Sequence, residues 1–190
     1  RWARLPGTAR RVFGSLALVL AQGPGDAARF ADLGAPQVEL VGNLKRAAAP
    51  LAADPAALDA MQRAVAGRRA WVAASTHPGE DEAMVRAHGQ AAAAHPDLLT
   101  VVAPRHPERA AEVAAVFAQR GLPVGRRSAD GLPKPGHAVF IADTLGELGL
   151  FYRLAPIVFM GKTLLHEGGH NPLEPAQLDC ALVSGPHMQN

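Results

Sequence analysis

The run AWVAASTHPGEDEAMVRAHGQAAAAHPDLLTVVA, residues 70 to 103, decides the fold. It begins with a short apolar segment, 70–74, and passes into an alanine-rich stretch with helical spacing at 79–94. It ends in a second apolar segment, 98–103. Both flanking segments are apolar throughout instead of alternating, which is the pattern of strands covered on both faces. Strands of that kind belong to parallel sheets flanked by helices.

The same order continues toward the C-terminus. Apolar segments at 138–142, 156–160 and 181–184 predict further strands, and 107–120, 145–153 and 172–179 predict the helices between them. A weaker strand at 123–127 precedes a Gly/Pro-rich loop, 129–136, expected to be exposed. Upstream, Asp54 followed by Pro55 is a favourable helix start, and Leu58, Met61 and Val65 recur at helical spacing. Further upstream, LALVLA at 16–21 reads as a buried strand after a basic surface helix. No repeat of 20 to 50 residues is visible. The expected fold is α/β, a Rossmann-like doubly wound parallel sheet. The interdomain junction is expected near 39–45, with 1–41 closing one domain and 42–190 forming a second that is incomplete at its C-terminus. Such sheets bind ligands outside the carboxyl ends of their strands.

Composition agrees with a folded protein: 48% of the residues are apolar and 19% charged. The formal charge of +2 comes with no dense basic run, so no nucleic-acid partner is expected. Cys180 is the single cysteine, so no internal disulfide can form, and it is expected to be an inert packing residue. The chain begins at Arg1 and ends GPHMQN, which reads as a segment of a longer polypeptide. Its basic and apolar opening resembles a signal peptide. The apolar run is only about half the roughly 20 residues needed to cross a bilayer.

Two motifs fail on inspection. His166-Glu167-Gly168-Gly169-His170 fits the HExxH pattern of zinc peptidases, which needs both histidines on one helix face. Two consecutive glycines and Pro172 just downstream disfavour that helix. The segment reads as a loop leading to a helix start, with Asn171 as cap, Pro172 in the first helical position and Glu174 three after the cap. No metal is expected. Gly161-Lys162-Thr163 ends like a phosphate-binding loop, but Pro156 stands where that motif requires its first glycine.

The residues after the strands are Ser75-Thr76-His77, Pro104-Arg105-His106-Pro107, Asp143-Thr144-Leu145-Gly146-Glu147 and Gly168-Gly169-His170-Asn171-Pro172-Leu173-Glu174. Together with GNLK at 42–45 and GPH at 185–187, they resemble, in order along the chain, the C-terminal half of the Kdo transferases of bacterial lipopolysaccharide synthesis. The resemblance implies a GT-B glycosyltransferase, this chain holding the end of the first domain and most of the donor-binding C-terminal one. It implies CMP-Kdo as donor, a lipid A precursor as acceptor, membrane association through the N-terminal part, and a place at the cytoplasmic face of the inner membrane. The catalytic base would lie upstream, so no catalytic residue is assigned in this chain, and CMP-Kdo is a substrate with no further cofactor implied. CMP contacts fall, by motif, on Pro104 and Arg105, on Leu145, Gly146 and Glu147, and on Asn171, Pro172, Leu173 and Glu174. Leu145 stands where the family usually has methionine, and Lys162 where it often has a small residue.

Physical chemistry suits these positions. A departing nucleoside monophosphate gathers negative charge, which helix N-termini opened by Thr144 and by Asn171 would stabilise. Gly146 and the Gly168-Gly169 pair permit close backbone approach, and Arg105 offers a charge-assisted bond to phosphate. Glu147 and Glu174 each have two readings, as caps of their own helices or as ligand contacts, for Glu174 through the ribose hydroxyls. Lys45, His77, Lys162, Gly169 and His170 complete the candidates for the cleft. The alternatives are another GT-B enzyme, such as a UDP-sugar transferase or epimerase, and a noncatalytic nucleotide-binding or interaction module.

Overall fold

The structure, a computed structural model, describes residues 2–43, 47–165 and 168–188. The chain divides into two compact units, Arg1–Ala49 and Pro50–Asn190.

The first unit contains helices α1 (Pro6–Phe13) and α2 (Pro24–Asp32) and strands β1 (Val19–Ala21) and β2 (Val38–Leu40), which pair in parallel. Each helix has proline at its start, where the missing N–H costs nothing. α1 carries Arg10 and Arg11 in its last turn, the basic helix that was expected. The strand expected to be buried is only half so: Val19 and Ala21 are covered, whereas Leu20 is 47% exposed. Leu20 points to the opposite face of this two-stranded sheet, as period-two alternation requires.

The second unit is a six-stranded parallel sheet in the order β5-β6-β4-β3-β7-β8. The strands are β3 (Ala70–Thr76), β4 (Leu99–Pro104), β5 (Val124–Arg126), β6 (Val139–Ile141), β7 (Ile157–Met160) and β8 (Ala181–Ser184). The helices are α3 (Pro55–Ala64), α4 (Asp81–Ala94), α5 (Ala110–Ala118), a short α6 (Arg127–Asp130), α7 (Leu148–Leu154) and a short α8 (Leu173–Ala176). α3 starts where Asp54 predicts, the Asp54 carboxylate accepting from the amide of Ala56 at 3.0 Å. The expected 107–120 helix is a 3-10 turn, Pro107–Arg109, continued by α5.

Strand residues send side chains to the two faces in turn, and each face has its own core. Val72 and Ala74 of β3, Val101 of β4, Phe140 of β6 and Val158 and Met160 of β7 pack under α3 and α7, beside Met61 and Phe151. Ala73, Val102, Val139, Ile141 and Phe159 face the other way, under Met84 and Val85 of α4 and Val113 and Phe117 of α5. Burying each larger side chain stabilises the fold by about 1.5–3 kcal/mol. This double coverage explains why the central strands lack polar alternation.

From β3 the chain winds outward through β4 to β5 and β6, then crosses back over β3 to β7 and β8. The winding direction reverses between β3 and β7, where open parallel sheets form a crevice for ligands. β5 is the departure from a simple progression, because it forms the edge while β6, later in sequence, pairs with β4.

One polar network lies within the second core. Trp71 Nε1 donates to Thr100 Oγ1 at 2.7 Å, and His88 Nδ1 stands 2.8 Å from the same oxygen. The indole can only donate, so the hydroxyl is satisfied best by passing its own proton to His88 Nδ1. Burial holds His88 below the ordinary histidine value, which keeps it a neutral acceptor.

Candidate functional site

The ends of β3 and β7 touch at the winding reversal. The Gly161 amide donates to the Ala74 carbonyl at 2.8 Å. A side chain on Gly161 would begin 2.2 Å from the Ser75 carbonyl oxygen, so only glycine fits. The ladder between β3 and β4 shifts register here, with Ser75 as the bulged residue. Ser75 has φ 54° and Lys162 has φ 61°. Left-handed backbone at non-glycine residues is costly, and such positions gather at functional sites.

Glu80 locks these two loops together. It stands at the head of α4, yet it is fully buried, and its carboxylate accepts four backbone amides. Oε2 receives His77 at 3.0 Å and Lys162 at 2.8 Å. Oε1 receives Thr163 at 3.0 Å and Leu164 at 3.2 Å. Thr163, also fully buried, extends the tie to the end of β8. Its hydroxyl accepts from the Gly185 amide at 2.8 Å, and its carbonyl accepts from His187 at 3.1 Å. The GPH segment at 185–187 is thereby anchored on the GKT segment that resembles a phosphate loop.

A cavity of about 160 Å3 opens beside this junction, at the carboxyl ends of β3, β4 and β6. Ser75, Pro104, Arg105, Thr144, Gly146 and Phe151 line it, as does Leu145, which is 83% exposed. Pro104, Arg105, Leu145 and Gly146, separated by about 40 positions in sequence, thus meet at one opening. Gly146 has φ 80°, the left-handed conformation that glycine alone adopts without strain. A larger hollow, about 500 Å3, lies at the opposite ends of the strands near Trp71, His95 and Ile157. The carboxyl ends are where this class of sheet binds ligands.

The loop 143–147 is held from the outside, and not by the capping expected. α7 begins at Leu148, so Thr144 does not open it; its hydroxyl donates to the carboxylate of Glu147. Glu147 precedes the helix without capping it. Arg127 grips Glu147 through two bonds, Nη2 to Oε1 at 2.6 Å and Nε to Oε2 at 3.0 Å. That bond holds the Glu147 carboxyl below its usual range against the opposing push of partial burial. Asp143 is tied likewise. Its partial burial pushes its value up, but bonds from the Ser128 hydroxyl and amide and from Arg126 outweigh this and leave it low. Ion-paired to Arg127, Glu147 can serve a ligand through its backbone while its side chain keeps the loop in shape. The segment 129–136 expected to be exposed is in part structural: Pro133 is buried, and Asp130 accepts from the Arg126 amide at 2.9 Å.

The loop from Gly168 to Glu174 lies next to the β3 end. His77 Nε2 and His170 Nε2 are 3.0 Å apart, with the two rings stacked at 5.2 Å. The charge of Arg105 acts on both histidines. The Arg105 amide donates to the Thr76 carbonyl at 3.0 Å, next to His77, and Arg105 also lines the cavity. Gly168 and Gly169 have φ 150° and 92°, and residues 168–171 are not helical, which removes the geometry that HExxH requires. His166, Glu167 and Lys45 lie outside the described residues. Among the described residues no three His, Cys, Asp or Glu side chains are placed to hold a metal.

Pro172, expected in the first helical position, is instead the N-cap residue of the short α8; Asn171, expected as the cap, stands one residue earlier, its Oδ1 accepting from the Leu173 amide at 3.2 Å. Its Nδ2 donates to Glu174 Oε1 at 3.2 Å, so Glu174 sits at the loop as a partner of Asn171. α8 covers Leu173–Ala176 and not the 172–179 expected; Asp179 at φ 59° turns the chain out of helical conformation just beyond it. Gly169 is buried, and Pro172 and Leu173 are half-buried.

The histidines of this region give the chain an acid sensitivity. Burial, then His77, Arg105 and Lys162, push His170 down to about 4, against an opposing pull from Glu80. His77 and His88 are also lowered, chiefly by burial. Below about pH 6.5 the unfolded chain therefore binds more protons than the folded one. Stability is expected to be complete above pH 6.5 and to fall as the pH drops from there toward 4. Urea unfolding at about pH 7.5 and about pH 5 checks this, and equal stabilities would contradict it.

The chain is similar to known proteins of one family. A family profile described as 3-Deoxy-D-manno-octulosonic-acid transferase (kdotransferase) matches residues 1–48. The 3-deoxy-D-manno-octulosonic acid transferase of Haemophilus influenzae is 34% identical over 200 residues, covering 100% of this chain and 45% of that protein. The enzyme of the same name from Bordetella pertussis is 36% identical over 185 residues, 95% of this chain and 43% of the relative. The chain thus spans less than half the length of these curated relatives. Among solved structures, the C-terminal CMP-Kdo binding domain of WaaA from Acinetobacter baumannii matches with a TM-score of 0.64 and 32% identity. That match covers 70% of this chain and 72% of that domain.

Proposed function

This chain belongs to the 3-deoxy-D-manno-octulosonic acid (Kdo) transferase family, and we propose that it is the part of such an enzyme that binds the CMP-Kdo donor. The observation that carries the reading is the convergence of Pro104, Arg105, Leu145 and Gly146 on one cavity at the carboxyl ends of the strands. The 168–174 loop meets the end of β3 through the His77–His170 contact, one residue after the Thr76 that the Arg105 amide bonds. Peptide groups of the 144–147 turn are available to the nucleotide, and Arg105 can bond the phosphate. As the sugar–phosphate bond breaks, negative charge grows on the leaving CMP, and fixed positive charge at that place lowers the barrier. In this reading Glu174 meets the ribose hydroxyls through the carboxylate oxygen that Asn171 leaves open.

The whole enzyme would transfer Kdo to a lipid A precursor at the cytoplasmic face of the inner membrane, with the general base for the acceptor hydroxyl supplied upstream. Support for this wider statement is the sequence resemblance and the relatives' activity. The 190-residue chain alone is expected to bind CMP weakly and to transfer nothing, and measurable turnover by it would contradict that.

Titration of the chain with CMP, UMP and UDP tests the donor reading. CMP is expected to bind at least about tenfold more tightly than the uridine nucleotides, a margin that hydrogen-bond readout of one base supplies. Equal or tighter binding of UMP or UDP would favour a uridine-sugar enzyme. No binding at millimolar nucleotide would point to an interaction module.

A further inference from the structure

Around the His77–His170 pair the described residues gather positive charge, and of the acids near it Glu108 pairs with His106 at 3.5 Å. Lys162, strained at φ 61°, lays its aliphatic stem across Gly168, where a side chain would begin 2.9 Å from Lys162 Cε. Arg105 approaches from the end of β4, and His106 meets His77 edge-on at 6.1 Å. The ion pairs of the described residues involve neither Lys162 nor Arg105. The acidic group that acts on both histidines, Glu80, already has both oxygens occupied by four backbone amides.

With their Nε2 atoms 3.0 Å apart, one imidazole must donate and the other accept, so the neutral pair shares one proton at that contact. A second proton would add a charge beside Lys162 and Arg105. An anion placed between these cations would reverse that balance, because it is attracted to the lysine, the arginine and the charged form of the pair alike.

We propose that the His77–His170 pair, flanked by Lys162 and Arg105, is the subsite that holds the carboxylate of the donor's sugar acid, separate from the place of the phosphate. The proposal rests on the donor reading above. An ulosonic acid carries its carboxylate on the same carbon that is bonded to the phosphate, so its nucleotide donor brings two anions side by side. A nucleotide-linked neutral sugar brings no second anion there. The site has the matching cations: Arg105 lines the cavity and its amide donates to the Thr76 carbonyl, next to His77, at 3.0 Å, while the stem of Lys162 lies beside Gly168.

His170→Gln and Lys162→Gln, each titrated with CMP and with CMP-Kdo, test the subsite. The unmodified chain is expected to bind CMP-Kdo more tightly than CMP. In both variants CMP affinity is expected to stay within about twofold, which also shows that they fold, while CMP-Kdo weakens about tenfold, as loss of one charge-assisted contact implies. Repeating the titrations near pH 6 in buffers of different ionisation enthalpy should reveal proton uptake with CMP-Kdo that His170→Gln abolishes. Equal weakening of CMP and CMP-Kdo would assign the pair to the phosphate and overturn the proposal, as would unchanged CMP-Kdo affinity in both variants. Absence of CMP binding to the unmodified chain would instead remove the donor reading, and this subsite with it.

Discussion

Replacing Glu80 by glutamine is expected to lower the unfolding free energy by about 3 kcal/mol and to weaken nucleotide binding with it. The substitution is isosteric, so the effect isolates hydrogen bonding from packing. Each carboxylate oxygen accepts two backbone amides, His77 and Lys162 on one and Thr163 and Leu164 on the other. Whichever way the glutamine amide turns, its NH2 group faces two donors and two bonds are lost. A buried donor left without an acceptor costs about 1–3 kcal/mol. The loops after β3 and β7 would lose their common anchor, and these loops carry His77 and Lys162. Urea unfolding measures the first effect and CMP titration the second. A stability loss under about 1 kcal/mol would show that the Glu80 tie is dispensable.

Gly161→Ala is expected to be at least as damaging, while the same substitution at Gly89 raises stability. At Gly161 the new methyl group would lie 2.2 Å from the Ser75 carbonyl oxygen and 2.7 Å from Thr76 Cα. Both are backbone atoms, so no side chain can swing aside and the ends of β3 and β7 must part. Overpacking of this kind costs about 1–3 kcal/mol, and more where backbone must move. Gly89 stands inside α4 with no atom within 4 Å of a built side chain. Alanine there gains about 0.5–1 kcal/mol from helix propensity and a less flexible unfolded chain. Thermal unfolding of the two variants should therefore move in opposite directions. A Gly161→Ala protein as stable as the original would refute the close approach at the winding reversal.

Glu80 also shows where sequence reasoning stopped. Within HPGED it reads as an ordinary first-turn acid of an N-terminal helical turn. A clue was present: glutamate is a poor cap compared with serine, threonine, aspartate or asparagine, so its carboxylate had work elsewhere. That the work joins it to residues 162–164, more than 80 positions away, depends on β7 returning to lie against β3. The same holds for Arg127. It lies beside a segment read as loop, and its grip on Glu147 exists because β5 pairs with β6 at the sheet edge. The expectation that Thr144 and Glu147 form a helix cap failed because α7 begins only at Leu148, and the Glu147 carboxylate is taken by the Thr144 hydroxyl and by Arg127.

The chain order of apolar segments and alanine-rich spacers determined the class of fold, because strands buried on both faces and helices with one apolar side leave few other ways to exclude water. It also pointed to the carboxyl ends of the strands as the candidate binding edge, since ligands gather where parallel strands end, and the strand-end motifs carried the family resemblance. What folding alone decided was which of those ends touch. The strand order, the insertion of β6 between β4 and β5, the contact of His77 with His170 and the four amides on Glu80 are long-range pairings. They follow from how helices pack across two faces at once, which no local pattern of residues encodes.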